Sequence, residues 1–151
     1  MSAWPVAGAE WLASAHPSPE TARRQWANPD RRCALIPAGV QWDAIRIERQ
    51  LAVEVLRELH VMRRAGAPVL WGLREGSARA YLLVPPGTAQ TWDEPPTRAI
   101  GAGGWVAMPR PGAQSRVPDR FRWGPAPDGS GCLADPDALR AAIHRAHGGC
   151  W

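Results

Sequence analysis

A change of hydrophobic period at Glu48 constrains this chain more than any other feature. From Trp42 to Glu48 the residues alternate as in a strand. Asp43, Ile45 and Ile47 point one way, and Trp42, Ala44, Arg46 and Glu48 point the other. From Arg49 to Ala65 the period becomes helical. Leu51, Val55, Leu59 and Met62 recur on one face, with Ala52 and Leu56 widening the stripe. Gly66 is expected to end that helix, and Arg63 and Arg64 suit the negative end of its dipole. A strand that runs straight into a long amphipathic helix calls for a sheet with a helix packed on it.

The flanking segments extend this plan. A short helix is expected over Ala7–Ser14. A second starts at Ser18-Pro19-Glu20, with Ser as N-cap and Pro at the first helical position, and stops before Asn28-Pro29. Cys33–Ile36, Pro68–Leu73, Ala80–Val84, Trp105–Met108 and Phe121–Trp123 read as strands. The loop Arg74–Ser77 makes Pro68–Leu73 and Ala80–Val84 a hairpin. Asp135-Pro136 caps a last helix, from Asp137 to about His147. Proline density between residues 85 and 131 predicts long irregular loops. The expected fold class is α+β: a single domain over residues 1–147 with a tail at 148–151, built on one central, mostly antiparallel sheet flanked by helices.

Composition narrows the setting. All 18 basic residues are arginine, asparagine occurs once, and Ala, Gly and Pro abound, which is the signature of a GC-rich genome. The net charge of +4 permits contact with nucleic acid without requiring it. No apolar run approaches the roughly 20 residues that span a bilayer. The N-terminus lacks a basic leader pattern, so a cytoplasmic location and no membrane partner are expected. Three widely spaced cysteines make no disulfide framework. Nine tryptophans against one Tyr and one Phe are read chiefly as core fillers, with base-stacking platforms as the alternative.

Four ordered stretches resemble the primase-polymerase module of the archaeo-eukaryotic primase superfamily, in the actinobacterial form of the bifunctional DNA primase/polymerase N-terminal domain. They are PETARRQWANPDRRCALIPAG, WDAIRIER with the helix after it, GSARAYLLVPPG, and AIGAGGWVAMPRPG. The resemblance implies a primase-polymerase-like fold. In members that extend a primer it also implies a pair of carboxylates two residues apart on one strand, a histidine on a middle strand and an acid on a later one. Such clustered oxygen ligands hold magnesium or manganese against the triphosphate.

This chain departs from that pattern. By the resemblance, Arg46 takes the first carboxylate position, Glu48 the second, Ala80 the histidine position and Ala102 the later acid position. A guanidinium repels a divalent ion and is expected to pair with Glu48 instead. Asp43 is a nearby acid, but on a regular strand it faces away from Glu48. The reading is a degenerate DNA primase/polymerase, more a pseudoenzyme than an enzyme. It needs no cofactor, and magnesium or manganese only if it is catalytic.

Its expected partner is single-stranded or primer-template DNA. Arg79, Arg110, Arg116, Arg120 and Arg122, interleaved with Trp105 and Trp123, are the candidate binding residues. One alternative is a protein-interaction or regulatory module whose partner is another protein chain. The other is an active enzyme with displaced ligands, Asp43, Glu48 and Asp93. Without lysine no Walker GxxxxGK motif exists, so if the chain serves replication its motor is expected on another chain. Cys132, His144, His147 and Cys150 are weak zinc candidates. The plainer reading of the histidines is a helix end that favours cationic groups.

Overall fold

The computed structural model describes residues 4–30, 32–64, 66–72, 78–111 and 121–148. Among the described residues four helices and seven strands form an α+β domain. The helices are α1 (Trp4–Ala13), α2 (Pro19–Ala27), α3 (Arg49–Val61) and α4 (Pro136–Gly148). The strands are β1 (Cys33–Pro37), β2 (Asp43–Glu48), β3 (Val69–Gly72), β4 (Arg79–Val84), β5 (Arg98–Ile100), β6 (Trp105–Pro109) and β7 (Phe121–Trp123). Instead of one sheet there are two: a five-stranded sheet ordered β5-β2-β4-β3-β7 and a two-stranded sheet of β1 and β6. Every pairing is antiparallel, including the expected hairpin of β3 with β4.

The large sheet buries both faces because its strands are apolar on both sides over part of their length. One face carries Ile45, Ile47, Ala80, Leu82 and Val69 and packs under α3 and α4 through Val55, Leu59, Leu139 and Ile143. The other carries Ala44, Leu70 and Leu83 and packs against Ala34, Ile36, Val106 and Met108 of the small sheet, with α1 and α2 contributing Leu12 and Trp26. β6 leaves the edge strand β5 through a four-residue turn, in which Gly104 N donates to Gly101 O at 2.9 Å. It ends against the opposite edge strand, where Trp123 Nε1 donates to the Pro109 carbonyl at 2.8 Å. The small sheet is therefore a strap laid across the large one from edge to edge.

Tryptophans act as anchors in this arrangement. Trp26 Nε1 donates to Met108 O, Trp71 Nε1 to Gly124 O and Trp92 Nε1 to Thr97 Oγ1. Each ring covers apolar neighbours while its single donor is satisfied.

The long helix ends sooner than Gly66 promised. Arg63 takes a left-handed φ of 57°. Its N–H meets His60 O at 3.0 Å, and Arg64 N–H meets Leu59 O at 2.8 Å. This doubly bonded stop satisfies the last carbonyls, with arginine where glycine is the easier occupant.

Candidate nucleic-acid interface

The antiparallel registers place side chains in cross-strand rows on the strapped face. Ala44 lies opposite Ile100 and Leu83, and this row is under the small sheet. In the next row Arg46 stands opposite Arg98 on one side and Tyr81 on the other, and Tyr81 in turn faces Leu70, which faces Trp123. The following row pairs Glu48 with Arg79, and Gly72 with Phe121. A Cβ added to Gly72 would lie 3.9 Å from the Phe121 ring, so the phenyl group covers the glycine.

The strap covers the first row and leaves the outer part of the others open. Arg46, Arg79, Tyr81 and Phe121 are half-buried, and Arg98 and Glu48 are exposed. The guanidinium groups of Arg46, Arg79 and Arg98 make no ion pair or hydrogen bond among the described residues. Arg46 thus stands across from Tyr81, Arg79 lies two residues before it on the same strand, and Arg98 lies one strand beyond Arg46, with a second aromatic ring two strands from Tyr81 on the other side.

Glu48 does not pair with Arg46. Its carboxylate turns onto the start of α3 and accepts from Gln50 N at 3.1 Å and Leu51 N at 3.2 Å. This follows from sequence position. A carboxylate immediately before a helix meets free N–H donors and the positive end of the dipole, whereas pairing with a guanidinium on the open face gains little in water.

Asp43 is engaged through one oxygen only, its Oδ1 being buried without a hydrogen-bond partner among the described residues. It is 1% exposed, lies on the α3 side of the sheet, and accepts through Oδ2 from Gly87 N at 3.0 Å and Ala89 N at 2.8 Å. It holds the 3-10 turn Thr88–Thr91 in place. Asp93 is exposed in the loop beyond that turn.

Two of the four expected site positions stay together and two leave. Arg46 and Glu48 share the strapped face, as the alternation required. Ala80 pairs with Ile47 on the reverse face and is fully buried under the helices, so Tyr81 and Arg79 are the β4 residues beside Arg46. Ala102 sits in the turn after β5, where its Cα would lie 2.7 Å from a Cβ on Gly39. A divalent ion is not matched by this donor set: Arg46 flanks the position, both Glu48 oxygens face backbone donors, and Asp43 lies across the sheet.

The candidate binding residues scatter. Arg79 alone belongs to the open rows. Arg122 faces Trp71 on the reverse side. Trp123 is tied to Pro109 within the core, and Trp105, 48% exposed, meets His16 edge-on at 5.5 Å on the outer face of the strap. Arg110 lines a separate cleft of about 200 Å³ with Glu10, Arg23 and Trp26. There the hydrogen bond from Arg23 holds the Glu10 carboxyl below its ordinary value, and the carboxylate in turn raises the Arg23 guanidinium. Arg116 and Arg120 lie outside the described residues.

Of the zinc candidates, Cys132 is exposed in the loop before α4, His144 contacts Glu94 and Cys150 lies outside the described residues. Among the described residues no three His, Cys, Asp or Glu side chains converge. Glu94 instead ties α4 to the segment before β5. It touches His144 and lies 3.8 Å from Arg140 Nε, while the Arg140 guanidinium sits 5.1 Å above the Trp92 ring.

Sequence reading missed Arg98 and Tyr81. Arg98 lies in a three-residue edge strand inside a proline-rich stretch, too short for period two to register. Tyr81 could have been found from the alternation in β4, because it shares parity with Arg79. No helix among the described residues is long and apolar enough to cross a membrane. No family model matches the chain, and comparisons with curated proteins and with solved structures return no match.

Proposed function

We propose that this chain is a non-catalytic, primase-polymerase-like domain that binds nucleic acid or nucleotide on the open rows of its five-stranded sheet. The observation that carries the reading is the set of Arg46, Arg79 and Arg98, without ion pairs among the described residues and on the same sheet face as Tyr81. Cations held beside an aromatic ring suit a phosphate backbone whose bases stack on that ring. The ordered resemblance to primase-polymerase modules supports the DNA-related role. The fate of Glu48 and Asp43, one capping a helix and the other holding a loop, supports the absence of catalysis.

The test is fluorescence anisotropy with a labelled single-stranded oligonucleotide. Neutralising about three phosphates gives a log–log salt slope near −2, so binding falls roughly twenty-fold between 50 and 200 mM salt. Arg46→Ala and Arg98→Ala each weaken binding and flatten that slope. No binding at low salt, or binding indifferent to both substitutions, overturns the proposal. Primer extension with magnesium or manganese gives no product. Incorporation that depends on Asp43 or Glu48 would restore the enzyme reading.

A second reading, a protein-interaction module, draws on the outer face of the strap. Leu35 is 49% exposed there and Trp105 nearly as much. A pull-down lost in Trp105→Ser and kept in Arg46→Ala separates it from the first.

A further inference from the structure

A second cavity lies on the reverse side of the large sheet, away from the arginine rows. It is open on one side and offers about 220 Å³ between the end of α3, the start of β3 and the segment before α4. Its floor is core: Leu59, Val69, Leu82 and Ala134 are each at most 3% exposed. Its mouth is polar, with His60 and Arg64 both exposed, and no carboxylate lines it among the described residues.

Two physical facts bear on what this cavity can hold. An apolar cavity of roughly 150 Å³ already accepts a benzene molecule, so this one has room for an aromatic ring and a small substituent. The second is the helix stop. The left-handed turn at Arg63 folds the chain back so that Arg64 bonds to Leu59, and those two residues line the mouth and the floor. A left-handed φ is unfavourable for a non-glycine residue. Here it sets a guanidinium at the rim of an apolar hole. His60 adds a ring nitrogen on the same side.

We propose that this cavity binds a small monocarboxylate with an apolar body about the size of one aromatic ring. The ring fills the space over Leu59, Val69 and Leu82, and the carboxylate accepts from Arg64. Lysine-free charge complementarity of this kind favours acids over neutral analogues and disfavours amines.

The test uses the full chain and three probes of one shape: 4-methylbenzoate, toluene and 4-methylbenzylamine. Amide chemical shifts are followed by NMR. With about ten heavy atoms buried, 4-methylbenzoate is expected to bind with an affinity of order millimolar. It should shift the amides of Leu59, Ala67, Val69 and Ala134 in a saturable way. Toluene binds more weakly and the amine more weakly still. Arg64→Gln, an exposed change, lowers affinity for the carboxylate about five-fold and leaves toluene unchanged. Ala67→Phe fills the cavity and abolishes binding of all three. No saturable shift at those amides, or binding of the acid indifferent to Ala67→Phe, overturns the site. Toluene bound as tightly as the acid overturns the ligand class.

Discussion

Arg46 on β2 stands directly across from Arg98 on β5, two like charges in one cross-strand position. Directly opposed like charges weaken a sheet by roughly 0.2–1 kcal/mol. The repulsion is what remains when no anion lies between them. Arg98→Thr should therefore raise the urea midpoint by an amount worth about 0.5 kcal/mol while weakening oligonucleotide binding. Stability and binding moving in opposite directions is the expected signature. A variant that loses both would show that Arg98 serves the fold instead.

Glu48 is a helix cap. Glu48→Ala removes the acceptor for Gln50 N and Leu51 N, and should cost about 1 kcal/mol in urea unfolding. Oligonucleotide affinity should change little, because the side chain turns away from Arg46 onto α3. Glu48→Asp or Glu48→Ser, which keep an acceptor at the cap, should recover part of the loss.

Asp43 is the costliest polar residue to remove. Asp43→Ala leaves the N–H groups of Gly87 and Ala89 facing a buried site without their acceptor. The expected loss is about 3 kcal/mol, with faster amide exchange through Gly87–Thr91. Asp43→Asn keeps a carbonyl oxygen in place and should cost less than half as much.

At the end of α3, Arg63→Gly removes the penalty of a left-handed φ of 57°. Stability should rise by about 1 kcal/mol. Arg63→Val, β-branched and stiff, should lower it by a similar amount or more. Both are read from urea midpoints.

Acid reaches the contact between α1 and α2. Glu10 is held by Arg23 at 2.6 Å, and its carboxyl lies below its ordinary value of 4.5. A carboxyl lowered in the folded state adds stability that is complete above the unfolded value and is lost as pH falls through the folded one. Unfolding midpoints measured on the acid side should therefore show a slope that Arg23→Gln flattens. The effect is small, because both side chains are nearly half exposed.

Much of this architecture was legible because the relevant residues stand in long, regular segments. The alternation through β2 correctly put Arg46 with Glu48 and Asp43 across from them. The apolar stripe of α3 gave the helix that covers one face. What escaped depends on neighbours distant in sequence. Ala80 was read by motif alignment, but strand parity buries it on the reverse face beside Ile47. Arg46 and Glu48 were expected to pair because they share a face; the free N–H groups of α3 compete better for the carboxylate. The strap was invisible because a short strand gives no local sign of which sheet it joins. Trp105 and Trp123 lie close in sequence, yet one faces outward on the strap and the other is locked beneath its end.

β6 is fastened to both outer strands of the large sheet, by a short turn at β5 and by the Trp123 indole at β7. A sheet braced in this way cannot easily change its coil, so the spacing between Arg46, Arg98 and Arg79 is set before any anion arrives. If the proposed binding holds, a rigid rack of charges spares the guest the entropy of ordering it and favours guests whose negative groups already match its pitch.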